Sequence, residues 1–371
     1  MKHTCMRRLF GTIGILAALG AAGTLTSCDS AIYDDEGDCT VHYHVTFTYD
    51  MNMSFADAFH HDVKSVTLYL FDSKGELVTS KTDAGPQLAS PGYYMEVEVL
   101  PGKYDMLVWA EGESPADNPA AFKIADIGQA GQMAALGATL PLQGEAGEVG
   151  AASGLYSDRD IRPLFHGMMR DVEFPDTYGY VNLGPVNLTK DTNVMQILLQ
   201  NTDGTPMEEG DFSFYITADN SALNYLNEVV SDTQFGYRPW SLAMTSASFD
   251  EPDPDASAAP SKASKVQTSK AQTEANGVLA EITTGRMDTS RRQKLVVRRN
   301  SDGTDIIRIN LLQYLLMVKG EYNRAMTDQD YLDRKDSYTM MFFVDADRNW
   351  YIAGGVYING WRIVPPQDVD L

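Results

Sequence analysis

The feature that most constrains the fold is a period-two alternation beginning at residue 41, where Val41, Tyr43, Val45, Phe47 and Tyr49 alternate with His42, His44, Thr46, Thr48 and Asp50. Successive side chains of an extended chain point to opposite faces, so the run reads as a strand with one buried face. The pattern recurs. Val66, Leu68 and Leu70 alternate up to Phe71-Asp72-Ser73-Lys74-Gly75, which has turn chemistry, and Glu76-Leu77-Val78 brings the chain back as a hairpin. Tyr93, Met95, Val97 and Val99 alternate with Tyr94, Glu96 and Glu98, and Pro101-Gly102 turns the corner into Tyr104, Met106 and Val108. Alternation resumes near Tyr180, with Val186 and Leu188, then Val194, Ile197, Leu198 and Leu199, then Phe212, Phe214 and Ile216. The C-terminal part returns to strands at Tyr338 to Val344, Trp350 to Ile352 and Val356 to Ile363. Helical spacing occurs at Ile309, Leu312, Leu315 or Leu316 and Lys319, which predicts one short amphipathic helix. The predicted class is all-β with minor helix, built as sandwiches.

Two stretches break the pattern. From Ala125 to Gly154 the composition shifts to Gly and Ala, which predicts a surface excursion or a weak helix that makes a poor core. From Glu251 to Asn276 the chain is Pro, Ala, Ser, Lys and Thr with almost nothing to bury, so its ordering entropy cannot be recovered and a disordered insertion is predicted. A domain boundary is placed near Arg162 to Gly167, giving an N-terminal sandwich over 40–163 and a C-terminal one over 164–371 that carries the insertion 251–276.

The first 27 residues read as an export leader: Lys2, Arg7 and Arg8, then 14 uncharged residues from Leu9 to Ala22, then the small and polar stretch to Ser27. A permanent helical span needs about 20 apolar residues, so the leader is expected to be cleaved. Leu25, Thr26, Ser27 and Cys28 resemble the lipobox of bacterial lipoproteins, with Leu25 to Ser27 as the signal peptidase II recognition residues and Cys28 as the lipid attachment site. Two or more acyl chains anchor stably, at about 0.8 kcal/mol per buried methylene. Residues 28–39 then form an acidic tether. The formal charge is −22, and removing the three basic leader residues makes the remainder −25, which repels phosphate backbones and argues against nucleic acid as a partner. Cys5 leaves with the leader and Cys28 takes the lipid; Cys39 is left alone, a structural thiol or a nucleophile, with no internal disulfide to hold the fold.

No catalytic constellation emerges. Adjacent histidines of a strand point to opposite faces, so His60-His61-Asp62 makes a poor metal site, and no second cluster stands at ligand spacing. Asp50, Asn52 and Ser54 have part of a calcium-loop spacing, but without the glycine and glutamate such a loop needs they read as a capped turn. The cationic run Arg291 to Arg299 reads as a solvated hairpin. No enzyme activity, metal or cofactor beyond the covalent lipid is expected.

Three groups of residues are similar to a known family. The first is Cys28 with its tether, then Tyr49-Asp50-Met51-Asn52-Met53 and Ala56-Asp57-Ala58-Phe59 leading into Leu68-Tyr69-Leu70-Phe71-Asp72 and Gly75. The second is Leu100-Pro101-Gly102-Lys103-Tyr104 running to Trp109, with Leu164-Phe165-His166-Gly167. The third is Tyr331-Leu332-Asp333-Arg334-Lys335-Asp336-Ser337-Tyr338-Thr339 with Phe342-Phe343-Val344 and the ending Tyr357-Ile358-Asn359-Gly360-Trp361-Arg362-Ile363-Val364. In family order, these resemble the FimB/Mfa-type fimbrial anchor lipoproteins of Bacteroides-group bacteria, subunits of type V pili. The resemblance implies two tandem transthyretin-like β-sandwiches, with Trp109 and Trp361 as large apolar anchors. It also implies an outer-membrane lipoprotein at the base of a fimbria, with the shaft subunit and other pilus subunits as partners gripped by strand addition. Shaft subunits of this kind resemble precursors cut by an arginine-directed protease; the interval between Cys28 and Val63 holds neither Arg nor Lys, which favours a persistent anchor. The alternatives are a surface glycan-binding lipoprotein, for which Trp240 with Tyr237 is the candidate aromatic platform, and a tip adhesin of the same pilus.

Overall fold

The computed structural model describes residues 41–129, 131–145, 154–246, 267–268, 276–320 and 323–363. The predicted leader, the tether with Cys28 and Cys39, and most of the insertion 251–276 lie outside the described residues. In chain order the strands are β1 (Val41–Met51), β2 (Ser65–Phe71), β3 (Leu77–Ala84), β4 (Met95–Val97), β5 (Gly102–Glu111), β6 (Lys123–Ile124), β7 (Gly137–Thr139) and β8 (Tyr156–Ser157). They continue with β9 (Leu164–Phe174), β10 (Gly179–Lys190), β11 (Thr192–Asn201), β12 (Phe212–Ala218), β13 (Ala222–Asn224), β14 (Phe235–Tyr237), β15 (Ser241–Ser246) and β16 (Gln267–Thr268). Last come β17 (Gly277–Gly285), β18 (Lys294–Arg299), β19 (Thr304–Asn310), β20 (Ser337–Val344), β21 (Val356–Ile358) and β22 (Trp361–Ile363). Helices α1 (Phe59–Asp62), α2 (Leu311–Met317) and α3 (Asp328–Arg334) are short.

The first sheet has seven strands in the order β3-β2-β5-β9-β10-β1-β4. Its inner face is the alternation read from the sequence: Tyr43, Val45, Phe47 and Tyr49 of β1 pack with Val66, Leu68 and Leu70 of β2 and with Met106 and Val108 of β5. The β2–β3 turn forms because Asp72 Oδ1 accepts from the Lys74 and Glu76 amides at 2.8 and 2.9 Å and Gly75 takes a φ of +76°. The sheet curls until its edges meet. Lys81 Nζ of β3 donates to the Glu96 carbonyl of β4 at 2.9 Å, and Tyr93 Oη donates to Asp83 Oδ2 at 2.9 Å.

The division expected between residues 163 and 164 falls inside this sheet and is corrected here. Strands β9 and β10 follow that point in sequence, yet β9 pairs with β5 and β10 lies parallel to β1. The sheet runs to Lys190, and Thr192 opens the next one. A change in composition marks where the chain leaves a sheet, but it does not reveal that the chain returns.

The Gly/Ala-rich stretch is also more than an excursion. Strand β7 pairs with β13, and β8 lies parallel to β14, so residues from the first part complete sheets of the second. Phe122, Met133, Leu136, Ala138 and Leu140 are buried in the same core as Met195, Ile197 and Leu199 of β11. Small residues are needed for this approach: a Cβ on Gly137 would sit 2.5 Å from the Leu223 carbonyl oxygen.

In the second part, the seven-stranded sheet β16-β15-β17-β11-β20-β21-β22 and the five-stranded sheet β19-β18-β12-β14-β8 share that core. Helix α2 falls inside the predicted spacing but is shorter, with Ile309 in β19 and Lys319 past its end; it buries Leu311, Leu312, Tyr314 and Leu315, and the Asn310 side chain caps the Gln313 amide. Trp109 is buried as expected, its ring edge-on to His166. Trp361 is not: it is 61% exposed. It lies on β22, the outermost strand, where a side chain finds cover from one side only.

Leu136 tests the correction to residues 125–154. Leu136→Ala should cost about 2–5 kcal/mol of unfolding free energy by urea denaturation, the range for a buried leucine. A cost within about 0.5 kcal/mol is what an exposed excursion gives.

Candidate functional site

The two sheet systems meet at Lys190-Asp191-Thr192, where β10 hands over to β11. Asp191 is completely buried. Its Oδ1 accepts from Asn227 Nδ2 at 2.7 Å and lies 3.8 Å from Arg286 Nε. Arg286, at the end of β17, makes a two-pronged pair with Asp333 of α3, Nε to Oδ1 at 2.9 Å and Nη2 to Oδ2 at 2.8 Å, and its Nη1 donates to the Asn227 carbonyl. Beside this cluster Lys190 Nζ donates to Asp336 Oδ2 at 2.7 Å. Arg334 Nη1 donates to the Asp50 carbonyl at 2.9 Å, and its guanidinium stands 4.7 Å from the Phe55 ring centroid.

The partner surface on the first sheet is the turn after β1. Asn52 Nδ2 donates to the Tyr49 and Ala56 carbonyls at 2.8 and 2.7 Å, and Asp57 Oδ1 accepts from the Tyr49 and Phe59 amides at 2.9 and 3.0 Å. The expected capped turn is therefore present, and it holds Phe55 against Arg334. Between them lies a cleft of about 290 Å³ lined by Asn52, Ser54, Asp57, Asp62, Arg334 and Asp336. Burial pushes Asp191 up to about 7, against the opposing pull of Arg286 and Asn227. Burial also holds His166 down at about 4, while its Nε2 bonds the Tyr225 carbonyl at 3.0 Å.

A second functional question concerns sheet edges, whose unpaired N–H and C=O groups can accept another chain. The edges of the first sheet are tied to each other through Lys81 and Tyr93. Strand β19 is guarded by charge, with Asp305 accepting from Arg298 at 2.6 Å and from Arg308. Strand β22 has neither device. It hangs from β21 by a two-residue Asn359-Gly360 turn with φ of +51° and +82°, the type I′ geometry, and Asn359 is locked to β20 by reciprocal bonds with the Thr339 backbone at 2.8 and 3.0 Å. Ile358 and Trp361 flank that turn and bond to each other, so Arg362 turns its N–H and C=O to the open side. Among the described residues nothing pairs beyond β22.

The other residues singled out in the sequence fall as follows. Cys28 and Leu25 to Ser27 lie outside the described residues. His60 and His61 sit in α1, His60 Nδ1 at 2.9 Å from the Leu88 carbonyl and His61 Nδ1 at 2.5 Å from Asp62 Oδ1. Among the described residues no group of three or more His, Cys, Asp or Glu is placed to hold a metal ion. The cationic run is the predicted hairpin, its Arg298 and Arg299 paired to Asp305 and Asp302 and Arg291 to Asp219 and Asp232. Tyr237 is fully buried, donating to Asn220 Oδ1 at 3.0 Å, so it forms no exposed platform with Trp240. The buried network went unseen in the sequence. Asp333 and Asp336 stood in a quoted motif, but their partners lie 47 and 146 residues away.

A family model described as fimbrillin-A associated anchor proteins Mfa1 and Mfa2 matches residues 35–365. The chain is similar to a solved Bacteroides thetaiotaomicron protein described as an adhesin candidate, at 25% identity and a TM-score of 0.69, over 89% of this chain and 100% of that one. A second protein of that organism, described as a polysaccharide-binding candidate, is 23% identical with a TM-score of 0.66 over 88% and 99% of the two chains. The fimbrial anchor protein Mfa2 of Porphyromonas gingivalis is 15% identical with a TM-score of 0.58 over 88% and 100%. No curated protein matches.

The buried junction generates a pH prediction. Native Asp191 holds its proton up to about 7, whereas an unfolded aspartate releases it near 3.8, so this group's contribution to stability falls as pH rises between those values. His166 acts in the opposite sense: the unfolded chain takes a proton below 6.5 and the native one only near 4, so stability is lost as pH falls through that interval. Each slope is about 1.4 kcal/mol per pH unit at most, and across the shared window they oppose each other. Urea titrations of Asp191→Asn should therefore show stability climbing from pH 4 to 6.5, and those of His166→Gln should show it declining toward pH 7. Both variants tracking the parent curve would assign its shape to other groups.

Proposed function

Because the chain belongs to the family of fimbrillin-A associated anchor proteins Mfa1 and Mfa2, we propose that it fixes a fimbria to the outer membrane, with acyl chains on Cys28 embedded in the membrane and the edge of β22 holding the filament. It is a fimbrium-associated surface protein with an all-β fold. The observation that carries the filament-binding reading is the contrast among edges: two long ones are tied or charged, and β22 is open, fixed by its turn and flanked by the exposed Trp361. An extended segment of the shaft subunit adds beside β22, its backbone bonding the outward groups of Arg362 and an apolar side chain resting on Trp361.

The lipid half rests on the sequence Leu25-Thr26-Ser27-Cys28 and on the absence of Arg and Lys between Cys28 and Val63. A protein that keeps its lipid and holds a partner at the other end resists detachment without covalent linkage to the filament. The grip must then outlast shear, which favours a slow off-rate over a fast on-rate.

Two variants separate the halves. Cys28→Ala should release both the protein and its filaments from the envelope fraction into the medium. Arg362→Pro removes the outward N–H without touching the β21 bonds, and it should leave the protein in the envelope while filaments are shed. Filaments that stay on Cys28→Ala cells refute the anchor; filaments that stay on Arg362→Pro cells refute β22 as the docking edge.

A further inference from the structure

Three of the most exposed large apolar residues in the described part of the chain, Leu100 at 74%, Tyr180 at 74% and Tyr178 at 61%, occupy one end of the first sheet. That end is fixed by strand register. Val41, the first residue of β1, pairs with Gly179, which places Tyr178 and Tyr180 beside it. Strand β4 runs antiparallel to β1 with Val97 opposite Tyr43, so the chain passes Val41 before it reaches Leu100 and turns into β5.

The apolar groups are held in place. Tyr104 Oη donates to the Leu100 carbonyl at 2.8 Å, and Tyr43 Oη donates to the Pro175 carbonyl at 2.9 Å, so a tyrosine pins each of the two connections that carry them. The Tyr180 ring rests on His42 and His44, with centroids 5.2 and 5.0 Å away. The opposite end of β1 is the turn bound by Arg334, so this apolar tip faces away from the second sheet system by the length of an 11-residue strand.

We propose that this tip seats on the bilayer surface, with Leu100, Tyr178 and Tyr180 in the interfacial layer, and so stands the protein with its second sheet system pointing outward. The inference rests on the lipidation of Cys28. Twelve residues separate that cysteine from Val41, a reach of about 45 Å at full extension, and they join the body at this tip and nowhere else. Tyrosine suits the site because one end of its ring is apolar and the other wet. A short tether raises the local concentration of the bilayer to the order of millimolar, so even a weak surface contact is occupied once the lipid is in place. A second copy of the chain has no such tether delivering it to this end.

The test is hydroxyl-radical footprinting of the full lipidated protein, reconstituted in phosphatidylethanolamine–phosphatidylglycerol vesicles at high lipid excess, against the Cys28→Ala protein free in solution. Oxidation of Leu100, Tyr178 and Tyr180 should fall about five-fold or more on the vesicles, the protection of groups seated in the headgroup layer, while Phe55 and Trp361 stay unchanged. A triple variant, Leu100→Ser with Tyr178→Ser and Tyr180→Ser, should still pellet with vesicles, yet its backbone amides at 98–100 and 176–180 should exchange as fast as in the soluble protein. Wild type that pellets but is oxidised equally at the three residues overturns the proposal alone. Protection of the soluble Cys28→Ala protein that disappears on dilution overturns it in favour of a second copy. Protein that carries no acyl chain and stays out of the pellet overturns the lipid reading and this proposal with it.

Discussion

The arrangement of the molecule depends on a buried carboxylate shared between two sheet systems. Asp191 has no solvent, and its neighbours come from distant points of the chain: Asn227, Arg286 and, through Arg286, Asp333. Breaking one member of such a set leaves a buried charge or dipole without a partner, at a cost of about 3–5 kcal/mol. A hydrophobic contact tolerates sliding, whereas this network is satisfied in one relative position. Its contribution here is to geometry more than to net stability, because the desolvation of Asp191 and Arg286 offsets much of their attraction.

The proposed anchor has to carry load between two ends and benefits from such a junction, and the chain path strengthens it. Besides the direct link at residue 191, the strap from β6 to β8 leaves the first sheet, pairs with β13 and β14, and returns to β9. Pulling the two systems apart therefore has to break the Asp191–Asn227 and Lys190–Asp336 contacts, the Arg334–Asp50 bond and the His166–Tyr225 bond together. Loads spread over parallel bonds yield more slowly than loads applied to them in series, and Arg334 and Asp336 contribute two of these contacts from one short stretch, with Asp333, paired to Arg286, fixing that stretch to the end of β17.

Most strands were legible in the sequence because a half-buried strand must alternate, as β1 and β2 do along most of their length, whereas β5 is buried on both faces from Met106 to Ala110. The Asp72 turn announced itself through side-chain chemistry, but residues 356–363 read as one strand, and the Asn359-Gly360 turn that splits them into β21 and β22 was missed. Long-range pairing was not legible. Nothing in Leu164 to Phe174 says that it returns to β5 instead of opening a new domain, and the three-residue strand β7 is too short to show a period. Low side-chain volume in 125–154 was read as weak burial, but small residues were what allowed β7 to approach β13. Trp361 shows the converse error: a large apolar residue in a family motif was taken for core, though an edge strand can display it. The buried ionic network escaped because ion pairing has no sequence period.

The edges of the sheets show how an assembly subunit avoids assembling wrongly. Each unpaired strand is a template, so an open edge must be limited to the place where a partner belongs. Here the long edges β3 and β19 are closed by different means: β3 is tied to β4 by Lys81 and Tyr93, and β19 is guarded by Asp305, Arg298 and Arg308. Strand β22 is only three residues long, and that brevity is itself protective. Few backbone bonds can form there, so an arbitrary extended peptide gains little, and on the proposed docking at this edge selectivity passes to whatever side chain fits against Trp361. A long bare edge would bind more strongly and discriminate less. A short edge beside an indole binds firmly only when backbone and side chain both match, which is the selectivity the proposed docking requires.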